Sequence, residues 1–355
     1  MYLDTHEFYM QRCIQLALNG LGLTYPNPMV GCVIVYEGKV IGEGWHKKAG
    51  EAHAEVNAID SVKDKSLLSK STLYVSLEPC SHYGKTPPCT DLIVKMNIKN
   101  IVIGTIDFNS EVHGKGIEHL RKKGCNVTVG ILQDKCRELN KRFFTFHQKK
   151  RPYIILKWAE TKDGFIFPET ESKKNMKPIW ISNIYSLQQV HKWRTEEQSI
   201  LVGTSTAIID NPKLDARKYF GSNPIRLVID KNLKIDEKYN LFDGKVKTIV
   251  FTQKLTDSNY KNVIYKSIDF SMNIAKQICN YLYDNEIQSV IIEGGAKTLQ
   301  SFIDENLWDE ARVFTGDLFC KNGIKAPSFR KNQTKINQIS CQKLQKNKLI
   351  TFSND

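Results

Sequence analysis

Four side chains of the 355-residue sequence are of the types that hold a metal ion and move a proton: His53, Glu55, Cys80 and Cys89. They occur as His53-Ala54-Glu55, then Pro79-Cys80, then Cys89 after eight intervening residues. One histidine and two cysteines fill three positions of a tetrahedral zinc site and leave the fourth to water, the open arrangement that a catalytic zinc needs. The metal acidifies that water, and Glu55, which is not a ligand, can take its proton and return it to a departing amine. An isolated cysteine is ordinarily a small buried hydrophobe, and Cys13, Cys32, Cys125, Cys136, Cys279, Cys320 and Cys341 are read as structural in that sense. The joint order of H-A-E, strand, P-C and C instead matches the zinc deaminase signature, which implies hydrolytic deamination of an aminated heterocycle.

Those residues need elements to hold them. Residues Asp4 to Asn19 predict a helix, opened by a capping box of Asp4 and Glu7 and stopped by Gly20 and Gly22. Val30–Tyr36 and Lys39–Gly44 read as a hairpin turning at Glu37-Gly38. His53 and Glu55 fall near the start of a helix over Ala52–Ile59, one facing metal and the other substrate. The strand Leu73–Leu77 delivers Glu78-Pro79-Cys80, and Cys89 precedes a short helix over Asp91–Met96. Helix starts favour thiolates because their N–H groups are unpaired. Strands over Ile101–Thr105 and Asn126–Gly130, a helix over Gly116–Lys123 and a basic helix over Lys135–Phe146 complete the block.

The polar, basic stretch HQKKRP at 147–152 marks a seam, so the expected domains are 1–147 and 148–355. Alternation restarts with the strand Tyr153–Trp158. Ile200–Gly203, Arg226–Asp230, Thr248–Thr252 and Ser289–Glu293 follow as strands, and Ile184–Trp193, Met272–Asp284 and Thr298–Asn306 as helices. Such alternation means an α/β fold with a largely parallel sheet covered by helices. The Lys/Asn-rich stretch 330–348 reads as solvated surface leading to a last strand near Leu349–Phe352.

An apolar content of 41% with 25% charged residues describes a globular protein. The sequence has no apolar run of about 20 residues and no secretory layout at its start, so a cytoplasmic protein without a membrane partner is expected. Nine cysteines without an export signal imply reduced thiols. The net charge of +13, most of it after residue 147, suggests an anionic partner.

Longer motifs narrow the choice. PNPMVGCVIV at 26–35, GWH at 44–46, HAE at 53–55 and LEPCSHYGKTPPC at 77–89 resemble the bifunctional deaminase/reductase of riboflavin biosynthesis. Nucleic-acid deaminases usually carry Cys-x-x-Cys in place of the longer spacing here. RPYIILKWAETKDG at 151–164, Trp180-Ile181-Ser182, Arg194, ILVGTSTAIIDNPKLDAR at 200–217 and Glu293-Gly294-Gly295 are similar to the same family's reductase half. The resemblance implies an N-terminal cytidine-deaminase-like α/β/α layered domain and a C-terminal dihydrofolate-reductase-like α/β domain. It implies one zinc ion and NADPH as cofactors, and a phosphorylated pyrimidine ribosyl substrate. The first domain would deaminate 2,5-diamino-6-ribosylamino-4(3H)-pyrimidinone 5′-phosphate, and the second would then reduce the ribosyl chain to ribityl.

The resemblance further implies that Asn27, His46, His82 and Lys85 contact substrate in the deaminase site. By residue type alone, Asn27 is equally a turn residue between prolines, the histidines ordinary hydrogen-bonded ones, and Lys85 a solvated loop charge. In the reductase, Trp180, Thr206, Asp210, Gly294 and Gly295 would face the cofactor, and Arg194, Leu214, Arg217 and Glu293 the substrate. The two arginines suit bidentate phosphate contact. Glycines 294 and 295 read equally as an ordinary strand-to-helix turn, or as one whose helix N–H groups hold cofactor phosphate. The chain departs from the family pattern at Pro178, where a serine is common, at Glu160, where a small residue is usual, and at Phe108 and Ser110, where prolines are common. Two other readings are a deaminase fused to a non-catalytic second domain, and a nucleic-acid-editing deaminase gripping phosphates with its basic half. The second half lacks the aromatic-basic interleaving on which single strands stack, which disfavours the editing enzyme. The leading reading expects no nucleic acid partner, and the family suggests a homo-oligomer, a dimer or tetramer.

Overall fold

A computed structural model describes residues 5–81, 83, 87–107, 114–168, 183–254, 256, 260–329 and 336–354. The chain divides into two compact units, Met1–Lys150 and Arg151–Asp355.

In the first unit, α1 (Thr5–Ala17) leads through a 3-10 turn to the hairpin of β1 (Gly31–Tyr36) and β2 (Lys39–Trp45). α2 (Ala54–Ser61), β3 (Thr72–Leu77), α3 (Cys89–Lys95), β4 (Asn100–Thr105), α4 (Lys115–Lys122) and β5 (Asn126–Val129) follow. The five-stranded sheet runs β2-β1-β3-β4-β5. β1 is antiparallel to β2 and β3, while β3, β4 and β5 are parallel. Its two faces carry separate cores, Cys32, Ile34, Leu73, Val75, Ile101 and Ile103 with α2 and α4 on one side, and Val33, Tyr74 and Val102 with α1 on the other. This is the period of two expected of a sheet covered on both faces.

The basic helix expected over Lys135–Phe146 is instead two, α5 (Gln133–Leu139) and α6 (Lys141–Lys149). The break is at Asn140, whose buried side chain accepts a hydrogen bond from Met29 N at 2.8 Å and donates one to Met29 O at 2.8 Å. A side chain that pairs with both backbone groups of a distant residue fixes the helix end there, something no periodicity signals.

The second unit begins with β6 (Tyr153–Glu160) and β7 (Phe165–Pro168), and continues with α7 (Ile184–Glu196), β8 (Ser199–Gly203), α8 (Thr204–Asp210), β9 (Ile225–Ile229), β10 (Thr248–Thr252) and β11 (Val263–Ser267). α9 (Ile274–Asp284), β12 (Ser289–Ile292), α10 (Ala296–Asp304), β13 (Glu310–Thr315), β14 (Gly323–Lys325), β15 (Ile336–Leu344) and β16 (Asn347–Asn354) complete it. The nine-stranded sheet runs β11-β10-β9-β8-β12-β6-β13-β16-β15, and β7 pairs with β14 apart from it. Every pairing from β11 to β13 is parallel, and β13, β16 and β15 are antiparallel. β8, β10 and β12 are buried along their length, as strands covered on both faces must be. Ile154, Leu156 and Trp158 join the core beneath α9 and α10, while Tyr153 and Ile155 join the one beneath α7 and α8. Each buried Ile or Leu contributes roughly 1.5–3 kcal/mol.

The stretch expected as solvated surface over 330–348 contains β15, a strand whose residues are mostly exposed. Its polar composition suits the sheet edge it occupies, so surface and strand coincide. Among the described residues no helix is long and apolar enough to cross a membrane.

Candidate active sites

In the first unit the sheet delivers three donors to one point. His53 caps the N-terminus of α2 in an extended conformation, Cys80 follows β3, and Cys89 opens α3. α2 can lie close on β2 because Gly44 has no side chain: a Cβ there would stand 2.3 Å from Ala58 N and 2.6 Å from Ala54 O. His53 Nδ1 lies 3.6 Å from Cys80 Sγ and 3.3 Å from Cys89 Sγ, and the three donor atoms all fall within 4.8 Å of one another. Zinc bonds of about 2.3 Å to sulfur and about 2.0 Å to nitrogen put tetrahedral N and S ligands about 3.5 Å apart, so this donor set fits the ion. Cys89 N donates to Cys80 Sγ at 3.3 Å. The hydrogen bond from the Cys89 thiol, followed by that from His53, pulls Cys80 down to about 4 and raises Cys89 in turn.

Glu55, in the first turn of α2, is buried, and loss of solvent, with the Cys80 charge adding to it, pushes its carboxyl up to about 7. His46 is buried with its ring edge-on to His53. Its Nδ1 meets Ala52 O at 3.1 Å and its Nε2 meets Asn27 Nδ2 at 3.1 Å. Burial lowers its proton affinity, and its two partners fit the tautomer that donates through Nδ1 to the carbonyl and accepts through Nε2 from the amide. The Asn27 amide thus serves as more than a turn residue. His82 and Lys85 lie outside the described residues.

Glu78 carries a structural duty that its place in the motif did not announce. Its buried carboxylate accepts hydrogen bonds from four backbone N–H groups, those of Asp107, Gly114, Gly116 and Ile117.

In the second unit, the connections after β8 and β12 leave in opposite directions along the sheet, β8 toward β9 and β12 toward β13. The carboxyl ends of these neighbours therefore flank a topological switch point, where α/β sheets bind ligands. Gly294 and Gly295 follow β12 with φ of 128° and 66°, and a Cβ on Gly294 would meet Thr206 Cγ2 at 3.1 Å. Thr206, Gly294 and Gly295 are thus brought together, with bare backbone entering α10, a turn that suits close approach of a cofactor. Asp210 ends α8, exposed. Trp180 and Pro178 lie outside the described residues.

Glu293 also follows β12. Arg194 donates to it from Nε at 3.3 Å and from Nη2 at 2.7 Å, and Lys157 Nζ stands 3.8 Å away. Burial raises the Glu293 carboxyl, but Arg194 and Lys157 overcome it and hold the group down at about 2. Lys157 is itself lowered by burial, against the pull of Glu293. Arg194, expected to face the substrate, spends much of its fork within the protein. Its Nε–Nη2 edge is taken by Glu293 and its Nη1 donates to Asp215 O at 3.1 Å. Arg217, nearly half exposed and paired only on the surface with Asp215, keeps an accessible guanidinium. Leu214 is buried and left-handed, with φ of 49°, so its side chain packs inward.

Two groups here escaped the sequence reading. Lys157 had a signal, a charge inside the apolar strand YIILKWAE. His191, one turn before Arg194, is fully buried, and neither ring nitrogen has a hydrogen-bond partner among the described residues. Burial, then Arg194 and Arg217, lower it to about 4. Glu160, which stands where the family usually has a small residue, accepts a hydrogen bond from Trp158 Nε1 at 2.8 Å. Cys341, read as structural, is exposed on β15, and all nine cysteines are free.

Residues 3–105 match the cytidine and deoxycytidylate deaminase zinc-binding region, and residues 152–353 match the RibD C-terminal domain. The riboflavin biosynthesis protein RibD of Aquifex aeolicus is 39% identical over 91% of this chain and 90% of its own. The chain belongs to the RibD family. The RibD protein of Actinobacillus pleuropneumoniae is 34% identical over 96% of this chain and 92% of its own. A Thermotoga maritima crystal structure, titled a diaminohydroxyphosphoribosylaminopyrimidine deaminase/5-amino-6-(5-phosphoribosylamino)uracil reductase, superposes with a TM-score of 0.88 at 35% identity and covers 99% of both chains. RibD of Acinetobacter baumannii gives 0.86 at 29% identity over 99% of each chain. As a RibD protein, the chain is a bifunctional enzyme of riboflavin biosynthesis, with a zinc-binding deaminase domain fused to a reductase domain of dihydrofolate-reductase-like fold. RibD membership sets this reading above the nucleic-acid-editing and non-catalytic alternatives.

Proposed function

We propose that the first unit releases the 2-amino group of 2,5-diamino-6-ribosylamino-4(3H)-pyrimidinone 5′-phosphate as ammonia, and that the second reduces the ribosyl chain of the product with NADPH. The observation that carries the deaminase half is the convergence of His53, Cys80 and Cys89 beside the buried Glu55. Those three donors would hold a zinc ion, which when bound would supply an acidified water as the nucleophile. Glu55, poised near neutrality by burial, takes the proton at its carboxylate and delivers it to the departing nitrogen. His46 and Asn27, hydrogen-bonded to each other, present an ordered polar wall to the pyrimidine. His82 and Lys85 are assigned to the same substrate by the family motif.

In the second unit NADPH supplies the hydride. Thr206, Gly294 and Gly295 would hold it at the switch point, with Trp180 and Asp210 assigned by the motif. Glu293, kept ionised by Arg194 and Lys157, accepts hydrogen bonds from ribosyl hydroxyls, and Lys157 holds a proton at Nζ for the oxygen freed when the ring opens. Arg217 is the phosphate contact, and Leu214 contributes backbone. A homo-oligomer fits this reading, as the family motif suggests.

The test is one cuvette containing the zinc-loaded chain and the diaminopyrimidine ribosyl phosphate, followed for ammonia and for NADPH absorbance. Ammonia release followed by substrate-dependent NADPH loss is expected. Zinc-loaded protein that gives neither signal would sink the proposal, and ammonia alone would confine it to the first unit.

A further inference from the structure

We infer that Glu78 is a positioning residue for the metal site, tying the ligand Cys80 to the backbone at Asp107 and at the start of α4. Its side chain reaches away from the donors yet belongs to the same short turn, Glu78-Pro79-Cys80, that carries one of them. Oε2 accepts from Asp107 N at 3.2 Å and Gly114 N at 3.0 Å, and Oε1 accepts from Gly116 N at 2.9 Å and Ile117 N at 3.2 Å. The Glu78 backbone adds a fifth tie, its N–H donating to Thr105 O at 3.0 Å. Only an ionised carboxylate accepts at all four positions, since a protonated or amide group turns a donor toward N–H groups. Hydrogen bonds to a charged acceptor are among the stronger ones, and these are buried.

The turn is packed against the same start of α4. A Cβ on Gly116 would lie 2.2 Å from Pro79 O, so glycine is what lets the two backbones approach. On its other side the turn is fastened to α3, with Thr90 N donating to Cys80 O at 3.2 Å and Cys89 N to Cys80 Sγ at 3.3 Å. Cys80 is therefore held between two anchors, and Glu78 supplies the one that does not involve the other thiolate. Groups that orient metal ligands without touching the metal typically change metal affinity by about 10- to 100-fold when removed.

This inference rests on the reading of His53, Cys80 and Cys89 as zinc ligands, and the experiment separates the two. Zinc release from the full-length wild-type chain and from Glu78→Gln is followed with a colorimetric chelator, after metal analysis of both. Wild-type protein without stoichiometric zinc would refute the ligand reading itself. With zinc present, Glu78→Gln is expected to release it about 10- to 100-fold faster, and excess zinc should restore its deamination, which Glu55→Gln does not allow. Release at the wild-type rate overturns the inference. Amide exchange in the wild-type chain needs no variant and decides the matter even where Glu78→Gln fails to fold. Gly116 and Ile117 should be protected with zinc bound and exchange faster once it is stripped, because coupling between ends of one turn is reciprocal. Protection indifferent to zinc overturns it equally.

Discussion

Glu55 and Glu293 are both buried carboxylates, and their surroundings drive them in opposite directions. Burial beside thiol sulfur pushes Glu55 up to about 7, whereas two cations hold Glu293 at about 2. Glu55→Gln is therefore expected to slow ammonia release by about 100- to 10,000-fold, while NADPH oxidation with the deaminated pyrimidine continues unchanged. An assay of each half-reaction checks this. The second unit should lose stability in acid in two stages. His191 sits at about 4 against an ordinary 6.5, so the unfolded chain takes up that proton first and stability falls as pH drops from about 6.5 to about 4. Glu293 then loses its stabilising charge as pH falls from its ordinary 4.5 toward 2, a contribution on the order of 3 kcal/mol. Urea unfolding across pH should show the upper stage vanish in His191→Leu and the lower stage in Glu293→Gln. The convergence of His53, Cys80 and Cys89 was legible from residue type and spacing alone, because such a set is short and chemically unusual. Lys157, His191 and the bonds of Glu78 were not, since their meaning lies in contacts with residues distant in sequence, such as Glu293 and Gly116.

Elements with a strong period of their own were readable. β10 runs over the residues that its apolar run implies, and the hairpin of β1 and β2 turns where Glu37-Gly38 marks it. The failures come from tertiary override: Asn140 ends a helix that local pattern would continue, and β15 takes its partner from β16 without an apolar face to advertise it. Asn140 also tests how elements position the site, since Met29 stands two residues after Asn27. Asn140→Ala leaves the Met29 N–H and C=O without their side-chain partner, and each buried orphan costs about 1–3 kcal/mol. The first unit should melt at lower temperature, and KM for the diaminopyrimidine should rise more than kcat falls. An unchanged KM with lowered stability would show that Asn140 only supports the fold.

Each unit has its own sheet and its own cores, so the two chemistries can be removed one at a time. Dialysis against a zinc chelator should abolish ammonia release while leaving reduction of added deaminated pyrimidine intact. Parallel loss of both activities would show that the reductase also depends on the metal. The two-unit plan was visible in the sequence as a restart of alternation after a basic stretch, but the nine-strand order was not, because β13 lies between β6 and β16, neither of them its neighbour in sequence. That order leaves β15 as a margin of the larger sheet, carrying Asn337, Gln338, Gln342 and Lys343. An open strand edge is a template on which another molecule can polymerise, and polar or charged side chains along it are a recognised defence. Valine at Gln338, Gln342 and Lys343 should leave catalysis intact while light scattering rises with protein concentration. The composition that conceals β15 as a strand is thus also of the kind that guards a sheet edge against edge-to-edge growth.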